Sequence, residues 1–297
     1  MDRKIKAWVE AARPRTLPVS VAGVAGGCAC ACTYSGPDAL LLPMILCLLF
    51  ALLAQIASNF ANEYFDYRDG IDSPGRVGPR RGVTEGDISP RAMAAATLIT
   101  LAAACCVGFP LVYWGGWWMV PVGAAVAIGV GAYSAGPWPL SRHGLGEVAV
   151  VVFFGIVPVN LTFYLSTGVL WWWPAAAVSV GIGLIGANVL IVNNYRDYDD
   201  DRAVGKHTLA VIFGRRSMEW LYLFNGIAGV ALSVPLWWRI GSFLLPVAAG
   251  FAVMEVLMWR EMCRTSGSSL NKFLGKTARM LVIYSAVLAT ISASLAL

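Results

Sequence analysis

The chain has 297 residues, of which 58% are hydrophobic and only 13% charged. Soluble domains carry roughly 25% charged residues, so this composition excludes a disordered chain and an ordinary water-soluble enzyme. The 22 Lys and Arg against 17 Asp and Glu leave a net charge of +5; where those charges fall says more than their sum, and no nucleic-acid partner is expected. Apolar runs near the ~20 residues that cross a bilayer recur at about 17–35, 39–61, 92–112, 117–135, 147–166, 169–192, 218–237, 241–259 and 278–296. They predict an all-α polytopic membrane bundle of nine transmembrane helices in a single domain, 1–297. A Gly/Pro-rich joint separates the fourth span from the fifth. Gly and Ala runs within the spans suit close helix packing. Trp117, Trp118, Trp171–Trp173, Trp237 and Trp238 fall at span ends, where interfacial aromatics are expected.

Orientation follows from Lys and Arg. With nine spans drawn, every cation except Arg239 falls on one side: Arg3 to Arg15 in the N-terminal tail, Arg68, Arg76, Arg80, Arg81 and Arg91 after the second span, Arg142 after the fourth. Arg196 to Arg216 follow the sixth, and Arg260 to Arg279 the eighth. The positive-inside rule places that side, and the N-terminus, in the cytoplasm and the C-terminus outside. No cleaved signal peptide is expected; Arg13 to Pro18 read as an interfacial lead-in to the first span. The seven cysteines fall mostly in apolar spans and are read as small packing residues.

The acids are concentrated. Glu63, Asp66, Asp69, Asp72, Glu85 and Asp87 follow the second span, and Asp197, Asp199, Asp200 and Asp201 follow the sixth. Asn62 and Asp66 are four apart, as are Asn193 and Asp197, and Asp197 and Asp201, so each pair shares a helix face if the helix runs on into the loop. Carboxylates so spaced repel each other, and at a helix C-terminus they oppose its dipole, so helix capping explains them poorly. A hard divalent cation with oxygen ligands reverses the sign, and Mg²⁺ is typically held by one or two carboxylates plus substrate phosphates. The Asn-x₃-Asp pattern recurs at matching ends of spans two and six. That echo predicts a duplicated four-helix unit around a central cavity, with parallel repeats about the membrane normal. Arg80, Arg81 and Lys206 follow the acids closely, as an ion-assisted diphosphate site requires. His143 and His207 are read as loop residues rather than catalytic bases, having no acid partner in sequence.

These segments resemble the UbiA superfamily of intramembrane aromatic prenyltransferases over nearly the whole chain. The likeness rests on Asn62-Glu-Tyr-Phe-Asp66 with Gly70-Ile-Asp72, and on Asn193-Asn-Tyr-Arg-Asp197 through Asp201 to Lys206. Ala12 to Pro18, Gly78 to Gly82, Tyr133 to Pro137 and Gly144 to Glu147 are accessory segments similar to the branch that prenylates 1,4-dihydroxy-2-naphthoate in menaquinone synthesis. The resemblance implies that Asn62, Asp66, Asp72, Asp197 and Asp201 are catalytic, the four aspartates holding Mg²⁺. It places Lys206 on the diphosphate. Arg81 and Asn193 are further substrate-binding candidates, and Arg142 is a candidate for the acceptor carboxylate. The Asp usual after the first Asn is Glu63 here, which is not expected to be a ligand. The implied reaction ionises a polyprenyl diphosphate, lets the hydroxylated ring attack the allylic cation, and releases pyrophosphate and CO2 to leave demethylmenaquinol. Tyr64, Tyr133 and Tyr195 are candidate rings for stabilising that cation. The rival readings are a relative with another acceptor (4-hydroxybenzoate, homogentisate) and, from a different class, a cation-coupled transporter. The transporter's acids would lie near the bilayer midplane, where Glu255 is the conspicuous one.

Overall fold

A computed structural model describes residues 3–72 and 77–295, and among them helices account for all the regular structure, apart from one isolated backbone bridge between His143 and His207. The helices are α1 (Arg3–Ala11), α2 (Pro18–Ser35), α3 (Leu41–Arg68), α4 (Pro90–Gly108), α5 (Met119–Ala132), α6 (Gly146–Thr167), α7 (Trp173–Arg196), α8 (Tyr198–Ala203), α9 (Leu209–Phe213), α10 (Arg215–Ile240), α11 (Leu245–Arg264) and α12 (Leu270–Leu295). Eight segments are long and apolar enough to cross a membrane among the described residues.

The ninth expected span is α5, which has 14 residues. At 1.5 Å per residue it is about 21 Å long, short of the ~30 Å hydrocarbon thickness. Its ends explain the shortfall. Gly116 at φ +79° turns the chain before it, and Gly136 at φ +95° turns it after, so the ends of the predicted 117–135 run belong to the flanking turns. The truncation leaves Tyr133 at the inner end of α5. Helix α1 was not expected from the sequence; it buries Ala7 and Ala11 and sets Trp8 edge-on to Phe60 of α3, ring centroids 5.6 Å apart.

Helix α7 is central. In its apolar window 72% is buried, against 11% for the α4 segment and 17% for α11, so those two form the lipid-facing periphery. It packs on α6 with backbones touching: a Cβ on Gly155 would lie 2.5 Å from Gly183 Cα, so neither position admits a larger residue. Helix α6 is underwound into a π turn at Val151–Ile156. Pro158 has no N–H for the Phe154 carbonyl, which removes one rung of the α-helical ladder there. Trp237, expected at the interface, is instead fully buried with its indole N–H 3.5 Å from the Tyr284 hydroxyl. Trp117, Trp171, Trp173 and Trp238 are exposed, as the belt requires.

Polar contacts tie the charged connections together at one end of the bundle. Arg3 pairs with Asp87, Arg13 with Asn62, Arg142 with Asp66 and Asp69, Val77 N–H with Asp200, and Asn271 with the Val77 carbonyl. Arg76, counted in the charge pattern, lies outside the described residues.

Candidate active site

The first motif occupies the last turns of α3. Asn62 donates from Nδ2 to Asp66 Oδ2 at 3.1 Å and to Ser134 Oγ at 3.1 Å, while its Oδ1 accepts from Arg13 and, at 3.5 Å, from Arg81. The chain then reverses, with the Ile71 N–H bonded to the Asp66 carbonyl at 2.8 Å. That turn brings Asp72 back beside Arg81, whose Nε lies 3.2 Å from Asp72 Oδ2. Glu63 faces away from the cavity: its fully buried carboxylate accepts from the Val83 N–H at 3.0 Å and lies 4.0 Å from Arg81. It anchors the loop that carries Arg81, which agrees with leaving it out of the ligand set.

The second motif ends α7 and runs through α8. Asp197 is gripped by its neighbour Arg196 through two hydrogen bonds of 2.7 Å, and Arg196 also donates to Asn193 at 2.8 Å and to Asn271 of α12 at 2.9 Å. The Asp201 N–H bonds the Asp197 carbonyl at 2.8 Å, so the helical register reaches Asp201 as the four-residue spacing predicted. Lys206 follows a Gly205 turn and lies 3.4 Å from Asp201.

The four aspartates read as metal ligands are all buried, and each carries a cation: Asp66 with Arg142 at 3.0 Å, Asp72 with Arg81, Asp197 with Arg196, Asp201 with Lys206. Buried charge demands such pairing. Among the described residues no three acidic, His or Cys side chains gather as a metal-binding group, so the two motifs are not drawn onto one point. Their chemistry still fits a hard divalent ion: oxygen donors only, desolvated, and already compensated by positive charge at each carboxylate. Asp69, exposed just past the end of α3, bridges Arg68 and Arg142 at 2.7 Å each. The hydrogen bond from Arg68 and then that from Arg142 hold its carboxyl below the ordinary value. Asp199 is exposed and paired with Arg215.

Arg13, Asn62, Arg81, Asn193 and Lys206 line one small polar cavity, with Tyr133 and Glu147 on its wall. Four of the five substrate-binding candidates from the sequence, Arg81, Tyr133, Asn193 and Lys206, therefore converge. Arg142 lies outside this lining, with its guanidinium paired to Asp66 and Asp69. Arg13, which was not a candidate from the sequence, adds a third cation to the cavity. Its φ of +53°, the one positive value among described non-glycine residues, turns the chain between α1 and α2 so that the side chain enters the cavity. The sequence signal was Arg13-Pro-Arg-Thr-Leu-Pro18, read as an interfacial lead-in and as an accessory segment of the resemblance, with no role given to Arg13 itself. Arg80 pairs with Asp87 at 2.7 Å outside the cavity.

A second, apolar cavity of about 360 Å³ runs between α2, α3, α4, α5 and α6, among Val24, Phe50, Val126, Phe154 and Leu161. It falls within the size range of small-molecule pockets. Tyr133 lines both cavities. Burial, then the Glu147 carboxylate, pushes its phenol above the ordinary value, so it stays a neutral ring. Of the other candidate rings, Tyr195 donates to Glu219 at 2.8 Å beneath Arg215, and Tyr64 packs on Phe65; neither lines either cavity. His143 stacks on Trp138, and its ring Nδ1 lies 2.9 Å from the Pro139 carbonyl, to which it donates. Glu255 is buried against Gly226 of α10 and lines neither cavity.

The model of the UbiA prenyltransferase family matches residues 20–293. The chain is 35% identical over 228 residues to the 1,4-dihydroxy-2-naphthoate octaprenyltransferase of Haemophilus influenzae, covering 72% of this chain and 71% of that one. It is 35% identical over 246 residues to the enzyme of the same name from Mycobacterium tuberculosis, covering 81% and 83%. Its fold is similar to that of a UbiA homolog from Archaeoglobus fulgidus bound to DMAPP and Mg²⁺, with a TM-score of 0.65, 17% identity and coverage of 96% and 99%.

Proposed function

The chain belongs to the UbiA prenyltransferase family, and from that premise we propose that it transfers a polyprenyl group from a polyprenyl diphosphate to 1,4-dihydroxy-2-naphthoate, releasing pyrophosphate and CO2 and giving demethylmenaquinol. The observation that carries this reading is the meeting of two unlike cavities at Tyr133, one lined by cations and the other by hydrocarbon. A polyprenyl diphosphate has the same division between head and tail.

Arg13, Arg81 and Lys206 bind the diphosphate oxygens with charge-assisted hydrogen bonds, while Asn62 and Asn193 orient it. Asp66, Asp72, Asp197 and Asp201 would hold Mg²⁺, which when bound supplies Lewis-acid withdrawal of charge from the leaving group. The tail lies in the apolar cavity, where Val24, Phe50 and Phe154 keep water from the allylic carbon. The neutral Tyr133 ring stands at the junction where positive charge develops, and a ring face stabilises such a cation by about 0.5–2 kcal/mol. We further propose that residues 1–297 act as one catalytic domain in the cell's cytoplasmic membrane, with the N-terminus and the motif loops in the cytoplasm and the C-terminus outside, on the strength of the positive-inside pattern.

Another aromatic acceptor would use the same diphosphate site, so the decisive experiment offers purified protein a panel. Octaprenyl diphosphate and Mg²⁺ are supplied with dihydroxynaphthoate, 4-hydroxybenzoate or homogentisate, and the prenylated product is quantified. Prenylated naphthoquinol with dihydroxynaphthoate alone is expected; transfer to 4-hydroxybenzoate in its place would overturn the acceptor assignment. The transporter reading lacks support, because the paired acids sit at one end of the bundle and Glu255 is packed between helices.

A further inference from the structure

We infer that Glu147 is the proton-accepting group of the reaction, taking the hydroxyl proton of the aromatic acceptor as the ring attacks and returning it when CO2 has left. The inference rests on the prenyl-transfer reading above and assigns a role to a carboxylate that stands apart from both aspartate motifs.

Glu147 begins α6 and is buried, with one carboxylate oxygen, Oε1, accepting from Asn194 Nδ2 of α7 at 2.9 Å. Asn194 is its one side-chain donor among the described residues, and the side chain lines the polar cavity. A carboxylate that lines a cavity receiving a substrate, and takes only one side-chain donor from the protein, has the placement of a group that bonds that substrate. The four aspartates are each occupied by a cation, whereas Glu147 has no ion pair among the described residues. That leaves it the basic oxygen of the cavity. The groups facing it are Tyr133 from the end of α5, Asn194 from α7, Arg13 from the α1–α2 turn, Asn62 from α3, Arg81 from the loop after α3, and Lys206 from beyond α8. Three of them are cations. Tyr133 is adjacent as well: a Cβ on Gly146 would lie 3.7 Å from its hydroxyl oxygen. The base therefore sits beside the ring that marks the junction of the two cavities.

The electron count closes. The proton on the hydroxyl next to the carboxyl-bearing ring carbon passes to Glu147 Oε2, and the O–H pair becomes the π bond of a ring ketone. The ring π pair forms the new carbon–carbon bond to the allylic carbon, whose bond to diphosphate breaks with its pair leaving on pyrophosphate. The carboxylate now lies β to a ketone. Its C–C bond breaks, CO2 departs, and the pair restores the aromatic ring as an oxyanion that takes the proton back from Glu147. No external oxidant or base is consumed.

Glu147→Gln is the discriminating variant, because its amide oxygen still accepts from Asn194 while the base is gone; Glu147→Asp retains a carboxylate. Wild type, Glu147→Gln and Glu147→Asp are compared in lipid nanodiscs for kcat and KM with dihydroxynaphthoate and octaprenyl diphosphate across pH, alongside acceptor affinity by fluorescence quenching and the unfolding midpoint. The expected result is a kcat for Glu147→Gln lower by about 100-fold or more, the usual worth of a positioned base, with acceptor affinity and midpoint close to wild type. Its rate should climb towards alkaline pH as the acceptor hydroxyl ionises unaided, and Glu147→Asp should recover part of the rate. A Glu147→Gln rate within threefold of wild type, equal losses in both variants, or a loss that follows the unfolding midpoint would overturn the inference. Failure of the wild type to prenylate any phenolic acceptor would instead strike the underlying reading, and the inference with it.

Discussion

Arg196→Gln tests whether the second motif is held together by charge in the resting protein. Arg196 is buried and makes four hydrogen bonds, two of them to Asp197 at 2.7 Å and one each to Asn193 and Asn271. Removing the guanidinium takes the Arg196 charge and two hydrogen bonds from the buried Asp197 carboxylate, which costs about 3–5 kcal/mol. Glutamine reaches only part of the distance and brings no charge. At about 2 °C per kcal/mol for a chain of this size, the unfolding midpoint should fall by about 6–10 °C in nanodiscs with chelator present. Asp197→Asn should lower it too, by stranding Arg196. The double variant Arg196→Gln/Asp197→Asn should be less damaged than the two losses added together, with a coupling of about 2 kcal/mol or more, because no lone charge is left. Additive losses, or an unchanged midpoint in Arg196→Gln, would refute the claim that this pair compensates the motif.

Other outcomes follow from the same contacts. Asp66→Asn and Asp197→Asn should each lose most activity while remaining folded, checked by Mg²⁺-dependent pyrophosphate release; wild-type rates in both would remove the metal-site reading. Lys206→Met should raise the KM for polyprenyl diphosphate by about tenfold or more, the loss of one charge-assisted contact, with the acceptor KM little changed. Glu63→Gln should retain Mg²⁺ affinity and cost about 1 kcal/mol of stability through a weaker bond to the Val83 N–H, whereas a ligand role would cost metal binding. Trp237→Ala should destabilise by about 3–5 kcal/mol, far more than the exposed Trp238→Ala. Because Asp69 has its pKa lowered from 3.8 by Arg68 and Arg142, its pairing is intact above that value. The pairing is lost only as pH falls through the lower folded-state pKa, so an acid titration followed by NMR should show Asp69 ionised after ordinary carboxyls have protonated.

Much of this molecule is written in local pattern. Span length and hydropathy located eight long helices because crossing a bilayer requires about 20 apolar residues whatever the tertiary partners. The i,i+4 spacing placed Asn62 with Asp66 and carried the register from Asp197 to Asp201 because helical geometry is local. What could not be read depends on contacts distant in sequence. Arg13 enters the cavity only because a left-handed turn meets the end of α3, 49 positions away. Arg142 is paired to Asp66 and Asp69, more than 70 positions away, and Trp237 is buried beside Tyr284 of α12 although its neighbours look interfacial. Tyr133 was one of three candidate tyrosines until the truncation of α5 set it between the two cavities. Glu147 stood out least, as the end of a Gly-rich segment with no paired residue nearby in sequence.

The most direct test of the account measures three products at once. Purified protein is given octaprenyl diphosphate, Mg²⁺ and dihydroxynaphthoate labelled with carbon-13 in its carboxyl group, and prenylated naphthoquinol, pyrophosphate and labelled CO2 are counted together. The account predicts equal amounts of all three, each abolished by chelator. Pyrophosphate released without labelled CO2, or a prenylated product that keeps the carboxyl label, would contradict it.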